Sequence, residues 1–276
     1  MASPLQLAPL VGTQWVLTHL DNPQVRLIEA TSDPEEYHAG HIPGAVLWRF
    51  PEDLQHPVRL DIPDQAAMEA LLSRSGIAKD TTVILYDGWI ATLTFWLLRF
   101  YRHDNVGLMN GGRKAWLDAS LPTTTALPAV TTTTYQVTEP NSSLRADRDL
   151  ILASLNGGQY AIVDARPPEF YRGEHVASYD PPLWHERGGH IPRAINIPSE
   201  MNEATTGAFK STEELHAVYD SQGISPEKDV IVYCGRGGRS SQTWYVLTQL
   251  LGYPSVRLYD GSWLEWGRLM GVPIER

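Results

Sequence analysis

Short runs of aliphatic and β-branched residues punctuate the chain, separated by longer stretches whose apolar positions recur at helical spacing. In the second half, Tyr160–Asp164, 230–233 and 256–259 are such runs, and each is expected to form a buried strand. Ser211-Thr212-Glu213-Glu214 opens a helix with capping chemistry, and Gly223 can close it. Residues 240–251 read as a further helix, ended by Gly252 and Pro254. The first half repeats the pattern, with strands expected at 25–29, Thr82–Tyr86 and Val106–Met109 and a helix over about 92–101. Strands that alternate with helices need crossover connections, so the class is α/β, with a mainly parallel sheet flanked by helices.

The repetition extends to motifs. Glu36-Tyr37, followed by Gly40-His41-Ile42-Pro43-Gly44-Ala45, recurs as Glu169-Phe170-Tyr171 and Gly189-His190-Ile191-Pro192-Arg193-Ala194. Val83-Ile84-Leu85-Tyr86-Asp87 recurs as Val230-Ile231-Val232-Tyr233-Cys234. Asn110-Gly111-Gly112 with Trp116 recurs as Asp260-Gly261-Ser262 with Trp266. His41 and His190 lie 149 positions apart, Tyr86 and Tyr233 147, and Trp116 and Trp266 150. Units of this size are domains rather than solenoid repeats. The expected organisation is a domain over 1–120, a Thr- and Pro-rich linker over 121–143 that crosses the surface, and a second domain over 144–276.

Composition narrows the chemistry. The 276 residues carry 42% hydrophobic and 20% charged side chains, enough apolar surface for two ordinary cores. A formal net charge of -10 argues against nucleic acid or an anionic membrane as partner, since both require a broad basic face. The opening MASPLQLAPLVG has no basic residue before its apolar positions, and no apolar stretch is long enough to span a bilayer, so a cytoplasmic protein is expected. Cys234 is the single cysteine, which excludes an intramolecular disulfide and a cysteine-rich metal site; neither metal nor cofactor is expected.

That cysteine ends a predicted strand and opens Cys234-Gly235-Arg236-Gly237-Gly238-Arg239-Ser240, just before a predicted helix. The carboxyl end of a parallel strand faces a crevice. Gly235, Gly237 and Gly238 permit positive φ and an inward turn of consecutive N–H groups, which makes an anion-binding loop. The helix N-terminus adds partial positive charge, and Arg236 and Arg239 add two permanent cations. All of these favour the thiolate, the nucleophilic form of cysteine. The loop contains no histidine, so activation by electrostatics is expected in place of a Cys-His pair.

The loop resembles the active-site loop of rhodanese domains, and the resemblance covers nearly the whole chain. It includes Gly-His-Ile-Pro in both halves, Asp164-Ala165-Arg166, Tyr171-Arg172-Gly173-Glu174 and Gly261-Ser262-Trp263-Leu264-Glu265-Trp266-Gly267. It implies two tandem rhodanese-like domains, the first silent because Asp87 stands where the repeat puts Cys234. It also implies a thiosulfate sulfurtransferase that works through a Cys234 persulfide, with thiosulfate as donor and cyanide or a thiol as acceptor. Gly235, Arg236, Gly237, Gly238, Arg239 and Ser240 would bind the substrate, Arg236 holding the sulfonate-like end and Arg239 either sharing that task or bracing the loop. Mercaptopyruvate sulfurtransferases of this family carry a loop resembling Cys-Gly-Ser-Gly-Val-Thr. Arg236 departs from it, which favours thiosulfate and keeps 3-mercaptopyruvate as the alternative donor. Phosphatases of the same fold have one more residue between cysteine and arginine. A non-catalytic binding module is a third reading, against which the presence of Cys234 counts.

Asp164, Arg166 and Glu174 are supporting candidates, placed either at the pocket or in a salt bridge beneath it. His41 and His190 suit buried, hydrogen-bonded positions. Trp263 and Trp266 suit packing. The stretch 178–189, with Trp184 and His185, is a candidate border of the pocket.

Overall fold

The computed structural model of the chain describes residues 7–176 and 186–276. One compact unit is Met1–Asn141 with Thr205–Phe209; the other is Ser142–Ala204 with Lys210–Arg276. The segment expected as linker is laced to the first unit as far as Asn141, whose N–H donates to Phe100 O at 2.7 Å. Thr124 forms an antiparallel bridge with His41, the Thr133 N–H donates to Ser73 O, and the Tyr135 ring is buried.

The first unit holds a five-stranded sheet in the order β1-β5-β4-β2-β3. Its strands are β1 (Leu10–Val11), β2 (Val25–Thr31), β3 (Val46–Arg49), β4 (Thr82–Tyr86) and β5 (Val106–Met109). The second holds β6 (Tyr160–Asp164), β7 (Ile195–Asn196), β8 (Asp229–Tyr233) and β9 (Val256–Leu258) in the order β7-β6-β8-β9. Every pairing between these strands is parallel. The α/β expectation therefore holds in both halves, and each sheet packs its own core. Ile84, Tyr86 and Trp116 belong to the first core; Ile231, Tyr233 and Trp266 belong to the second.

Local chemistry fixes the flanking helices. Ser211 and Glu214 form the expected capping box ahead of Thr212–Asp220, each side chain taking the other's orphan N–H. The helix after β8 runs Gly238–Tyr245 and widens into a π-helical turn over Val246–Leu250, so it starts two residues earlier than the sequence pattern indicated. The helix after β4 runs Gly88–Phe100, not 92–101, because Asp87 alone, in a left-handed conformation, separates it from the strand.

The sequence repeat is also a structural one. Tyr37 and Tyr171 each donate a hydroxyl to a backbone carbonyl, of Ala45 and Ala194, at 2.7 Å. His41 and His190 stack on those tyrosines, centroids 3.8 and 3.7 Å apart, with Nδ1 2.9 Å from the carbonyls of Tyr37 and Tyr171. Both histidines are buried parts of the turn, as the pattern suggested. Trp116 and Trp266 each donate Nε1–H to a proline carbonyl, of Pro122 and Pro273.

Candidate active site

Cys234 lies immediately after β8, at the carboxyl end of the second sheet, and is 2% exposed. Its surroundings are polar. The Ser240 hydroxyl donates to Cys234 Sγ at 3.4 Å and also lies 3.1 Å from Gly237 O. The segment after β9 fixes the cysteine backbone. Ser262 Oγ accepts the Cys234 N–H at 3.2 Å, Trp263 N–H donates to Cys234 O at 2.9 Å, and Leu264 N–H donates to Gly235 O at 2.9 Å. The hydroxyl of Ser262 in turn donates to Tyr259 O at 2.8 Å.

Gly237 takes φ +89 and forms the N-cap of the helix that starts at Gly238. Gly235 and Gly238 do not adopt positive φ, contrary to the expectation that all three glycines would. One left-handed residue suffices, because the helix itself supplies the following turn. The first intrahelical bond runs from Ser241 N to Gly237 O, which leaves the N–H groups of Gly238, Arg239 and Ser240 without an acceptor inside the helix. The Ser240 hydroxyl, 3.4 Å from Cys234 Sγ, brings this first turn, with its partial positive charge, next to the cysteine. Arg236, on the loop, and Arg239, in the first turn of the helix, are both exposed. Arg239 Nε donates to Glu200 Oε1 at 3.3 Å, with both side chains about half exposed, so part of its charge is already engaged.

Beneath the loop lies a buried ion pair. Asp164, at the end of β6, is 0% exposed and Arg166 4%. Arg166 Nε lies 3.0 Å from both carboxylate oxygens, and its Nη2 is 2.6 Å from Oδ2 and 2.7 Å from Gly189 O. Burial works against the Arg166 charge, but the Asp164 carboxylate outweighs it and holds the guanidinium pKa above its ordinary value. The guanidinium also covers the Trp263 ring, 4.4 Å from its centroid. Trp263 binds the Cys234 carbonyl, so the pair supports the loop from below. Of the two placements open to Asp164 and Arg166, the structure shows the salt bridge. Glu174 is half exposed and hydrogen-bonded to Arg172 at 2.6 and 2.8 Å. The stretch 178–185, with Trp184 and His185, lies outside the described residues.

The equivalent place in the first unit is built differently. Glu29 occupies the position of Asp164 and is buried, hydrogen-bonded by the Tyr86 hydroxyl and by Arg113 Nη1 at 3.0 Å. Burial pushes the Glu29 carboxyl up to about 7, against the pull of Tyr86 and Arg113. Tyr86 and Tyr233 are 147 positions apart, whereas the helix starts Gly88 and Gly238 are 150 apart. The second unit therefore has three more residues between strand and helix. The first has neither the cysteine nor the loop.

Two residues escaped the sequence reading. Ser262 was named in the repeat and in the Gly261–Gly267 segment of the resemblance but given no role, and Glu200 carries no motif.

The rhodanese-like domain family matches the chain twice, over residues 12–119 and 147–269. The chain is 44% identical to the sulfur carrier protein TtuD of Thermus thermophilus over 275 residues, 97% of this chain and 96% of that one. It is 42% identical to a Mycolicibacterium smegmatis protein named "Putative thiosulfate sulfurtransferase", over 96% of this chain and 97% of that one. In three dimensions it is similar to the anaerobic ergothioneine biosynthesis enzyme of Chlorobium limicola, with a TM-score of 0.88 at 25% identity, covering 100% of this chain and 72% of the enzyme.

Proposed function

The chain belongs to the rhodanese family of sulfurtransferases, and from that premise we propose that it is a thiosulfate sulfurtransferase whose sulfur is carried on Cys234. The observation that carries the reading is the position of Cys234 Sγ. It sits under the Ser240 hydroxyl, at the first turn of a helix, on a loop with two arginines.

In the first half-reaction the Cys234 thiolate attacks the outer sulfur of thiosulfate. A new S–S bond forms, the S–S bond of thiosulfate breaks, and sulfite leaves with the electron pair. Cys234 then carries a persulfide whose terminal sulfur is anionic. An acceptor nucleophile, cyanide or a thiol, bonds to that terminal sulfur, and Cys234 is regenerated as thiolate. Both half-reactions place negative charge at the loop. The N–H groups of the first helical turn, which have no acceptor inside the helix, and the Ser240 hydroxyl can stabilise it without rearranging. Asp164 and Arg166 act from below by fixing Trp263, and Glu174 has no part in this account. Arg236 binds the sulfonate end of the donor.

The two arginines favour a compact dianion, so thiosulfate is the preferred donor and 3-mercaptopyruvate the weaker one. The likeness to TtuD, named a sulfur carrier, supports a second use of the same persulfide, delivery of sulfur to a cellular acceptor in place of cyanide. Steady-state kinetics with both donors test the proposal. The expected result is a higher kcat/KM for thiosulfate than for mercaptopyruvate. The KM for thiosulfate should rise in Arg236→Ala at unchanged thermal stability. A preference for mercaptopyruvate would overturn the donor assignment, and an unchanged KM in the variant would move Arg236 out of the pocket.

A further inference from the structure

Glu200 holds a carboxylate against Arg239, one of the two cations on the loop that meets the donor. The turn that carries it is anchored. In Ser199–Asn202 the Ser199 N–H donates to Ala165 O at 3.1 Å, beside the buried Asp164–Arg166 pair. At the other end, the buried Asn202 accepts the Tyr219 hydroxyl at 2.6 Å, and its Nδ2 lies 3.5 Å from Thr243 Oγ1 on the helix that follows the loop. Lys210 Nζ donates to Met201 O at 2.7 Å, and Glu203 accepts from Gln242 on that same helix. Backbone and buried side chains thus hold the turn along Gly238–Tyr245, and Glu200 is presented to Arg239 rather than meeting it by chance.

We propose that Glu200 is a specificity-determining residue, an internal anion that competes with the donor for Arg239. The inference rests on the reading of Cys234 as the sulfur carrier. Glu200 makes no bond to substrate and exchanges no proton in this account; it acts through charge alone. At equal distance a dianion feels twice the repulsion of a monoanion. Glu200 therefore restrains thiosulfate more than it restrains the singly charged mercaptopyruvate. It narrows the advantage that two arginines would otherwise give to the dianion.

Exposed ion pairs are worth about 0.2 to 1 kcal/mol, so the effect on donor capture should be modest, up to about five-fold. The experiment measures kcat/KM for thiosulfate in Glu200→Gln and Glu200→Ala at low ionic strength. For a double-displacement enzyme this parameter reports the first half-reaction only. It should rise about two- to five-fold in both variants, rise less for mercaptopyruvate, and return to the parent value in about 1 M salt, where the screening length is ~3 Å. If the parent chain loads sulfur from thiosulfate and both folded variants match it, or fall below it, the inference is overturned alone. A parent chain that takes no sulfur from thiosulfate overturns the sulfurtransferase reading and this inference with it.

Discussion

Ser262 adopts φ +53, a left-handed conformation that costs an L-residue roughly 1–2 kcal/mol. Its counterpart in the first unit, 150 positions earlier, is Gly112 at φ +54, where glycine has no such cost. A Cβ on Gly112 would stand 3.4 Å from the backbone nitrogen of Asp87, the residue in the place of Cys234. The strained serine is thus found in the half that has the cysteine, and its hydroxyl takes the cysteine's N–H. Ser262→Ala keeps the strain and leaves that buried N–H without an acceptor, which should destabilise the fold by about 1 to 3 kcal/mol. Ser262→Gly loses the same acceptor but relieves the strain, so it should lose less. Urea unfolding of the two variants checks this, and equal losses would contradict the role given to the backbone. At this scale the sequence showed where thiol, charge and hydroxyl cluster, at Cys234, Arg236, Arg239 and Ser240, and the structure places the Ser240 hydroxyl 3.4 Å from Cys234 Sγ. The sequence was silent where meaning depends on a dihedral angle, as in Ser262. The same limit explains why only Gly237 of the three loop glycines needs its freedom.

At the scale of elements, the buried runs Tyr160–Asp164 and Thr82–Tyr86 were legible because a strand covered on both faces needs a continuous apolar sequence. The two-residue strands β1 and β7 carry too few side chains to show a period. Asp164 and Arg166 were visible as charges at a strand end, but only packing decides whether such a pair meets solvent or a core. Here it is closed off, and removing one partner leaves an uncompensated buried charge. Asp164→Ala should cost about 3 to 5 kcal/mol and lower the melting temperature well beyond any surface substitution. A melting curve like that of the parent would show that the pair does not hold up the loop.

For the whole molecule, the repeat was legible from motif spacing, and the step from 147 at the strand-end tyrosines to 150 at the helix starts marks the loop that differs between the units. Where the Thr-rich segment lies was not legible. Its hydrogen bonds to Ser73, Ile77 and Phe100 are made by backbone groups and hydroxyls that leave no hydrophobic pattern. Among the described residues, no helix is long and apolar enough to cross a membrane. The first unit keeps the Tyr–His turn and the buried carboxylate but lacks both loop and thiol, and on the account proposed here it takes no sulfur.

Intact mass after incubation with thiosulfate tests that account most directly, on the parent chain beside the double variant Cys234→Ala/Asp87→Cys. The parent should gain the mass of one sulfur atom and return to its starting mass on addition of cyanide, while the variant, with its cysteine on the shorter loop, gains nothing. A parent chain of unchanged mass, or a variant that loads as readily as the parent, would contradict it.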